Sequence, residues 1–249
     1  MVESIKELRK ICHDEKNRDL WYSKYFGKRL SIYITKILLY TPITANHVTL
    51  IMLLLGIVGP IFLFNGFFII GLLLIHLSMF LDFVDGDIAR YRKQRKMLGI
   101  YIDGVYHVVT NQLMLFGFAY GIYTLYPNKL LIIFGFLSAM FGRSVAVTAI
   151  FDSIASMKTR GETTPPIISS ASKEEVIEYE GQTREYKNPL LKLYHFLRNI
   201  WTFPSNLVML TLLYVWEIIN LKYAFIPNFM ASVIFFVVYG SFMTFNQAL

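Results

Sequence analysis

Residues 82–107 read DFVDGDIARYRKQRKMLGIYIDGVYH and carry an unusual pattern of acidic and basic side chains. Asp82 and Asp85 stand three residues apart, and Asp103 and His107 stand four residues apart further along. Because successive residues of an α-helix are rotated by about 100°, each pair would lie on one face of its helix. The basic segment between the pairs predicts a short turn. We therefore expect two helices that present two carboxylates to a carboxylate and an imidazole.

The chain is too apolar for an ordinary soluble domain. Of its 249 residues, 55% are hydrophobic and only 16% are charged. Three stretches, 48–81, 104–128 and 223–249, contain no Asp, Glu, Lys or Arg. Because about 20 apolar residues cross the hydrocarbon core of a bilayer as a helix, these runs predict bilayer-spanning helices. The expected fold class is an all-α integral membrane protein.

The predicted organisation has two parts. Residues 1–45 form a cytoplasmic amino-terminal arm, which includes an amphipathic helix at 28–41 that lies in the membrane interface and is ended by Pro42. Residues 46–249 form a six-helix transmembrane catalytic domain. Within it, the polar segment 158–190 is a cytoplasmic loop, either a solvated connector or a gate for substrate.

Breaks in the apolar runs divide the transmembrane part into spans. Gly59-Pro60 and Asn65-Gly66 interrupt the first long run, which therefore holds two helices rather than one. The predicted spans are 46–64, 68–91, 98–126, 130–157, 192–219 and 226–247.

The basic residues predict the orientation in the membrane. Nine Lys or Arg residues precede the first span, five lie between 90 and 96, and seven lie between 158 and 198. The three loops on the opposite side contribute only Lys129 and Lys222. Since cytoplasmic loops carry the excess of Lys and Arg, both termini and the 90–96 turn are expected in the cytoplasm.

Carboxylates inside a spanning helix need a counter-charge. A charge at the centre of such a helix costs on the order of 3 kcal/mol on insertion scales, so Asp82, Asp85 and Asp103 should face a wet cavity or a cation. At a rise of about 1.5 Å per residue, Asp82 is expected to lie roughly 12 Å deeper in the membrane than Arg90. Asp103 is expected to lie roughly 10 Å deeper than Lys96. Oxygen ligands favour Mg²⁺ or Mn²⁺ over zinc. The aspartates therefore predict a Mg²⁺ or Mn²⁺ site that could clamp a pyrophosphate.

Small residues beside these carboxylates leave room for a ligand. Gly86 and Ala89 on the first helix, and Gly99 on the second, would let a nucleotide approach the backbone closely. Arg90 and its basic neighbours are expected to attract an anionic ligand from the cytoplasm. Asp87 points about 200° away from Asp85 around the helix, so it is not expected to join these carboxylates.

This spacing resembles the signature of the CDP-alcohol phosphotransferase (CDP-alcohol phosphatidyltransferase) family, DxxDGxxARx8GxxxDxxxD. The matching residues are Asp82, Asp85, Gly86, Ala89, Arg90, Gly99 and Asp103, with the eight-residue gap intact. His107 replaces the last aspartate of the signature. The stretch Asn46-His47-Val48-Thr49 also resembles the one that opens the first spanning helix in this family.

The resemblance covers roughly residues 28–155 and implies a reaction in phospholipid or polar-lipid synthesis. It implies that a CDP-alcohol binds through the metal, that an acceptor hydroxyl attacks the phosphorus bearing the alcohol, and that CMP leaves. Asp82, Asp85 and Asp103 would carry the metal and His107 would take the position of the general base. The donor would be bound by Asp82, Gly86, Ala89, Arg90 and Gly99. The resemblance also implies a homodimer.

Two positions leave alternatives open. His107 is a base, a ligand or only a packing residue: an imidazole is a plausible base for a hydroxyl, but it supplies no negative charge. The replacement also motivates a second hypothesis, a family-derived protein that binds CDP-alcohol or metal without turnover. Arg143 lies within an apolar run, where it would bind an acceptor phosphate or a lipid phosphate, or else pair with an aspartate. A transporter would explain the intramembrane acids but not the glycine and alanine spacing.

Overall fold

The computed structural model describes residues 2–13, 27–93, 97–125, 127, 129–141 and 205–223. These residues form seven helices and no strand. In chain order the helices are α1 (Ile5–Cys12), α2 (Lys28–Leu39), α3 (Ala45–Phe64), α4 (Phe68–Tyr91), α5 (Met97–Leu125), α6 (Lys129–Phe141) and α7 (Ser205–Tyr223). The all-α class expected from the sequence is confirmed for this part of the chain.

Helix α1 begins with a capping box, a signal visible in the sequence. The backbone N–H of Glu7 donates to Ser4 Oγ at 3.3 Å, and the Glu7 carboxylate accepts from the backbone N–H of Ser4 at 2.9 Å. These two bonds satisfy donors that the first turn of a helix leaves without partners. A short helix therefore begins in the amino-terminal arm.

Helix α2 buries two hydroxyl side chains and exposes several apolar ones. Ser31 and Thr35 are fully buried, whereas Tyr33 is 48% and Ile37 is 62% exposed. The helix ends at Leu39, two residues earlier than predicted. An exposed apolar face is what an interfacial helix requires, and the location of α2 in the interface stays a prediction.

Three helices among the described residues are long and apolar enough to cross a membrane: Ala45–Phe64, Phe68–Tyr91 and Ile102–Leu125. Their bounds agree closely with the first three predicted spans. Large apolar side chains are exposed along them, for example Leu54 at 55% and Leu73 at 62%. Exposure of this kind suits contact with lipid and would be costly in water, so the chain is a membrane protein.

The remaining predicted spans are described only in part. Helix α6 covers the start of the fourth span, and α7 covers much of the fifth. The rest of both spans, the loop at 158–190 and the whole of the sixth span lie outside the described residues. The total of six spans stays a prediction.

The turn between α3 and α4 lies at Asn65-Gly66, where Gly66 has a φ of +77° that suits glycine. The break predicted at Gly59-Pro60 was wrong, because Pro60 lies inside α3 and the helix continues to Phe64. Gly59 instead belongs to a close contact between helices. A Cβ added to Gly71 would lie 2.8 Å from the Gly59 carbonyl oxygen, so these two glycines let the backbones of α3 and α4 approach each other.

The chain divides into two compact units. The first comprises Met1–Thr49, Phe80–Asp103 and Ala149–Asn199, and the second comprises Leu50–Met79, Gly104–Thr148 and Ile200–Leu249. In the first unit, Ala45 and Val48 of α3 pack against Val84 and Ile88 of α4. The boundary predicted at residue 45, between an amino-terminal arm and a transmembrane domain, is a different division and stays a prediction.

A polar cluster lies inside the second unit. Ser78 Oγ donates to the Met52 carbonyl oxygen at 2.6 Å and lies 2.7 Å from Tyr106 Oη. Asn206 Nδ2 donates to Asn111 Oδ1 at 2.6 Å. All of these groups are buried, and hydrogen bonds between spanning helices contribute about 0.6 to 2 kcal/mol each.

Candidate metal centre and donor site

The last turns of α4 and the first turns of α5 carry the acidic motif, which comprises Asp82, Asp85, Asp103 and His107. Asp82 and Asp103 both belong to the first unit, and His107 follows Asp103 by one turn of the continuous helix α5. One carboxylate oxygen of each aspartate and one ring nitrogen of His107 all lie within 4.8 Å of one another. All three side chains are partly buried. The structure thus brings together three of the four side chains that the sequence predicted for the centre.

The donor set fits a divalent cation. Two carboxylates held this close repel each other unless a proton or a cation lies between them. Carboxylate oxygens are the preferred ligands of Mg²⁺ and Mn²⁺, and Mn²⁺ also accepts an imidazole nitrogen. Asp82, Asp103 and His107 therefore form a group that can hold such an ion.

Asp85 is not a member of this group of three. Its Oδ2 accepts a hydrogen bond at 2.6 Å from the hydroxyl of Thr49, which also lies 3.0 Å from the Ala45 carbonyl oxygen. Thr49 is a site residue that the sequence reasoning did not assign, although it ends the Asn46–Thr49 stretch. A threonine in this position fixes the direction of the Asp85 carboxylate.

Asp87 is fully buried and is held by other parts of the polypeptide. Its Oδ2 accepts from Ser31 Oγ at 2.6 Å, and its Oδ1 accepts from Arg90 Nη2 at 2.7 Å and lies 3.3 Å from His13 Nε2. The thiol of Cys12 donates to the backbone carbonyl oxygen of Asp87 at 3.5 Å. Asp87 is therefore bound by α1, α2 and its own helix, and His13, to which the sequence assigned no site, is one of its partners.

Arg90 folds back along α4 over Gly86. A Cβ added to Gly86 would lie 3.2 Å from Arg90 Nη2 and 3.4 Å from Nη1. The Nε of Arg90 is buried and has no acceptor among the described residues. The absence of a side chain at Gly86 thus makes room for the guanidinium, whereas the sequence predicted room for a nucleotide there.

The other basic residues of the turn have different surroundings. Arg92 donates to the carbonyl oxygens of Ile43 at 2.8 Å and Thr41 at 3.1 Å, so it holds the link between α2 and α3. Lys93 is exposed and has a φ of +53°. Arg95 and Lys96 lie outside the described residues.

The remaining predicted donor and acceptor positions can be placed only in part. Ala89 packs against the buried cluster of Val84 and its neighbours. Gly99 lies in the first turn of α5. Arg143, predicted to bind an acceptor phosphate or a lipid phosphate, lies outside the described residues.

Residues 42–165 match the family model of the CDP-alcohol phosphatidyltransferases. This range includes α3 to α6 and Asp82, Asp85, Asp103 and His107, so the part of the chain that holds the candidate site is similar to this family. The match supports a membrane transferase that uses a CDP-alcohol and an alcohol in lipid synthesis, in a family that employs a divalent metal. A search of curated proteins gave no match for the chain.

Proposed function

We propose that the chain is a membrane phosphotransferase that moves a phosphatidyl or similar phosphoalcohol group from a CDP-alcohol donor to an alcohol acceptor and releases CMP. The observation that carries this proposal is the convergence of Asp82, Asp103 and His107 within 4.8 Å. These residues come from two helices inside the range that matches the family. The pathway is phospholipid or related polar-lipid synthesis.

In the proposed site, Asp82, Asp85 and Asp103 hold Mg²⁺ or Mn²⁺, with Asp85 aligned by its hydrogen bond from Thr49. When bound, the ion supplies positive charge that offsets the charge of the phosphates. The donor is held by Asp82, Gly86, Ala89, Arg90 and Gly99. Arg90 suits this role because its buried Nε is left to donate to an anion.

In the proposed reaction, the acceptor oxygen forms a bond to the phosphorus that carries the alcohol. The bond from that phosphorus to the oxygen of CMP breaks, and CMP leaves with the electron pair. His107 accepts the hydroxyl proton at a ring nitrogen, which makes the oxygen a better nucleophile. His107 lies close to Asp82 and Asp103, so it is also placed to serve as a ligand.

The proposed enzyme has six spans, with α2 in the membrane interface and both termini and the active site facing the cytoplasm. The exposed apolar face of α2 supports the interfacial location, and the distribution of Lys and Arg supports the orientation. Arg143 binds the phosphate of the acceptor or of a lipid. By family resemblance, the protein acts as a homodimer.

Release of CMP by the purified protein tests this function. CDP-diacylglycerol and a set of soluble CDP-alcohols would be supplied with Mg²⁺ or Mn²⁺ and a panel of alcohol acceptors. We expect release that depends on one donor and falls by at least about a hundredfold in Asp103→Asn. Release should persist in His76→Ala, which removes a histidine outside the site. Donor binding without any CMP release in the wild type would instead favour a non-catalytic binding protein.

The role of His107 is tested by restoring the family's aspartate. If His107 is a specialised base, both His107→Asp and His107→Ala should lower the rate of CMP release, with a loss of about a hundredfold in the alanine variant. A higher rate in His107→Asp than in the wild type would contradict this role, because it would mean that the natural residue impairs the site.

A further inference from the structure

We propose that Asp87 is a positioning residue that sets the guanidinium of Arg90 for the CDP-linked donor, and that α1 and α2 hold Asp87 in place. The inference rests on the proposed function, in which Arg90 binds the donor. It assigns a role in donor binding to the amino-terminal segment, which precedes the residues that match the family model.

The contacts of Asp87 indicate more than a surface ion pair. Its carboxylate is fully buried and accepts short hydrogen bonds from Ser31 of α2 and from Arg90. His13, just after α1, lies 3.3 Å from Oδ1. A buried carboxylate needs several partners of this kind to offset its lost hydration, and here the partners come from three parts of the chain.

The amino-terminal helix packs against this region through apolar contacts as well. Leu8 and Cys12 of α1 form a buried cluster with Ile32 of α2. Glu3 accepts a hydrogen bond from the Tyr91 hydroxyl at the end of α4. The amino-terminal segment therefore contacts α4 at Asp87, through Cys12, and at Tyr91, through Glu3.

The geometry of Arg90 explains why its position needs to be set. Its side chain is 29% exposed and lies over Gly86. Nη2 donates to Asp87 at 2.7 Å, which restricts the orientation of the guanidinium and leaves the buried Nε for an anion. A planar guanidinium binds phosphate well only when its plane is correctly oriented.

The test measures KM and kcat for the CDP-linked donor that supports CMP release. Asp87→Asn keeps the size of the side chain but removes its charge. Because Arg90 would then bind the donor from a less defined position, we expect KM to rise about tenfold, the usual effect of losing a hydrogen bond to a charged group. The kcat should stay within about twofold of the wild-type value. Ser31→Ala, a milder variant, should raise KM about threefold.

Two comparisons separate positioning from a general loss of structure. In an Arg90→Lys background, Asp87→Asn should add little to KM, because the guanidinium that it orients is gone. Lys6→Ala, which shortens an exposed side chain of α1, should leave KM unchanged. Labelling of Cys12, the one cysteine of the chain, reports in each variant whether α1 is still docked.

An active wild type with the same KM in Asp87→Asn, or additive effects of Asp87→Asn and Arg90→Lys, would overturn the inference and leave the proposed function standing. A wild type that neither binds a CDP-alcohol nor releases CMP would overturn the proposed function and this inference with it.

Discussion

Gly86 and Arg90 share one small space at the end of α4. Replacing Gly86 by alanine would place a Cβ 3.2 Å from Arg90 Nη2, a contact that the flexible guanidinium can relieve only by moving. We expect Gly86→Ala to raise the KM for the donor about fivefold, which corresponds to about 1 kcal/mol. Leu73→Ala is the control, because this side chain of the same helix is 62% exposed. An unchanged KM in Gly86→Ala would contradict this position of Arg90.

Cys12 is a second residue whose behaviour follows from its surroundings. Burial, assisted by the negative charge of Asp87, raises the pKa of the Cys12 thiol from its ordinary value of 9.0 to about 11. The folded protein therefore favours the neutral thiol, and the stability that this contributes is present below pH 9 and is lost as the pH rises through 11. Because the thiolate is the reactive form, a maleimide should label Cys12 very slowly at pH 8.

The measurement is mass spectrometry of the protein after maleimide treatment, with and without denaturant. Rapid labelling at pH 8 in the folded protein would mean that α1 is not docked as described. Labelling that becomes rapid only in denaturant would agree with the buried site, since Cys12 is 1% exposed.

At the scale of helices, α5 packs against α3 with almost no space between the backbones. A Cβ added to Gly121 would lie 2.2 Å from the Leu63 carbonyl oxygen, and a backbone atom cannot move aside as a side-chain tip can. We expect Gly121→Ala to lower stability by about 1 to 3 kcal/mol through overpacking. Thermal unfolding in detergent measures this effect, with Leu73→Ala, which shortens an exposed side chain, as the control. Equal melting temperatures for Gly121→Ala and the wild type would contradict the close packing of the two helices.

The helices could be predicted from the sequence because their signals are local. Charge-free runs located α3, α4 and α5, and Asn65-Gly66 located the turn between α3 and α4. Gly59-Pro60 was wrong as a break, because a proline is tolerated in a spanning helix where neighbouring helices pack closely. Helical spacing likewise predicted that Asp82 and Asp85 would face Asp103 and His107, and three of these four, without Asp85, lie together.

The supporting contacts could not be predicted, because they join residues that are far apart in the chain. Thr49 is 36 residues from Asp85, and Ser31 and His13 are 56 and 74 residues from Asp87. Such contacts depend on which helices pack together, and neither periodicity nor composition specifies that. Asp87 could be predicted to face away from Asp85, but not to be buried against α1 and α2.

At the scale of the whole molecule, the proposed topology requires an even number of spans. Both termini should lie in the cytoplasm, because the basic residues are concentrated in loops on one side. Reporters that are active only in the cytoplasm, fused in turn to each terminus, should both give a signal. A signal from the amino-terminal fusion alone would mean an odd number of spans and would contradict the six-span arrangement.

Binding of Mn²⁺ to the purified protein, followed by the loss of the EPR signal of the free ion, tests the metal centre itself. We expect saturable binding in the wild type and an affinity at least about tenfold lower in Asp82→Asn and in Asp103→Asn. Loss of a direct ligand should lower the affinity at least as much as loss of a residue that only orients a ligand. Glu7→Gln, which changes an exposed carboxylate of α1, should bind like the wild type. Equal affinity in the wild type and both aspartate variants would contradict a metal centre at Asp82, Asp103 and His107.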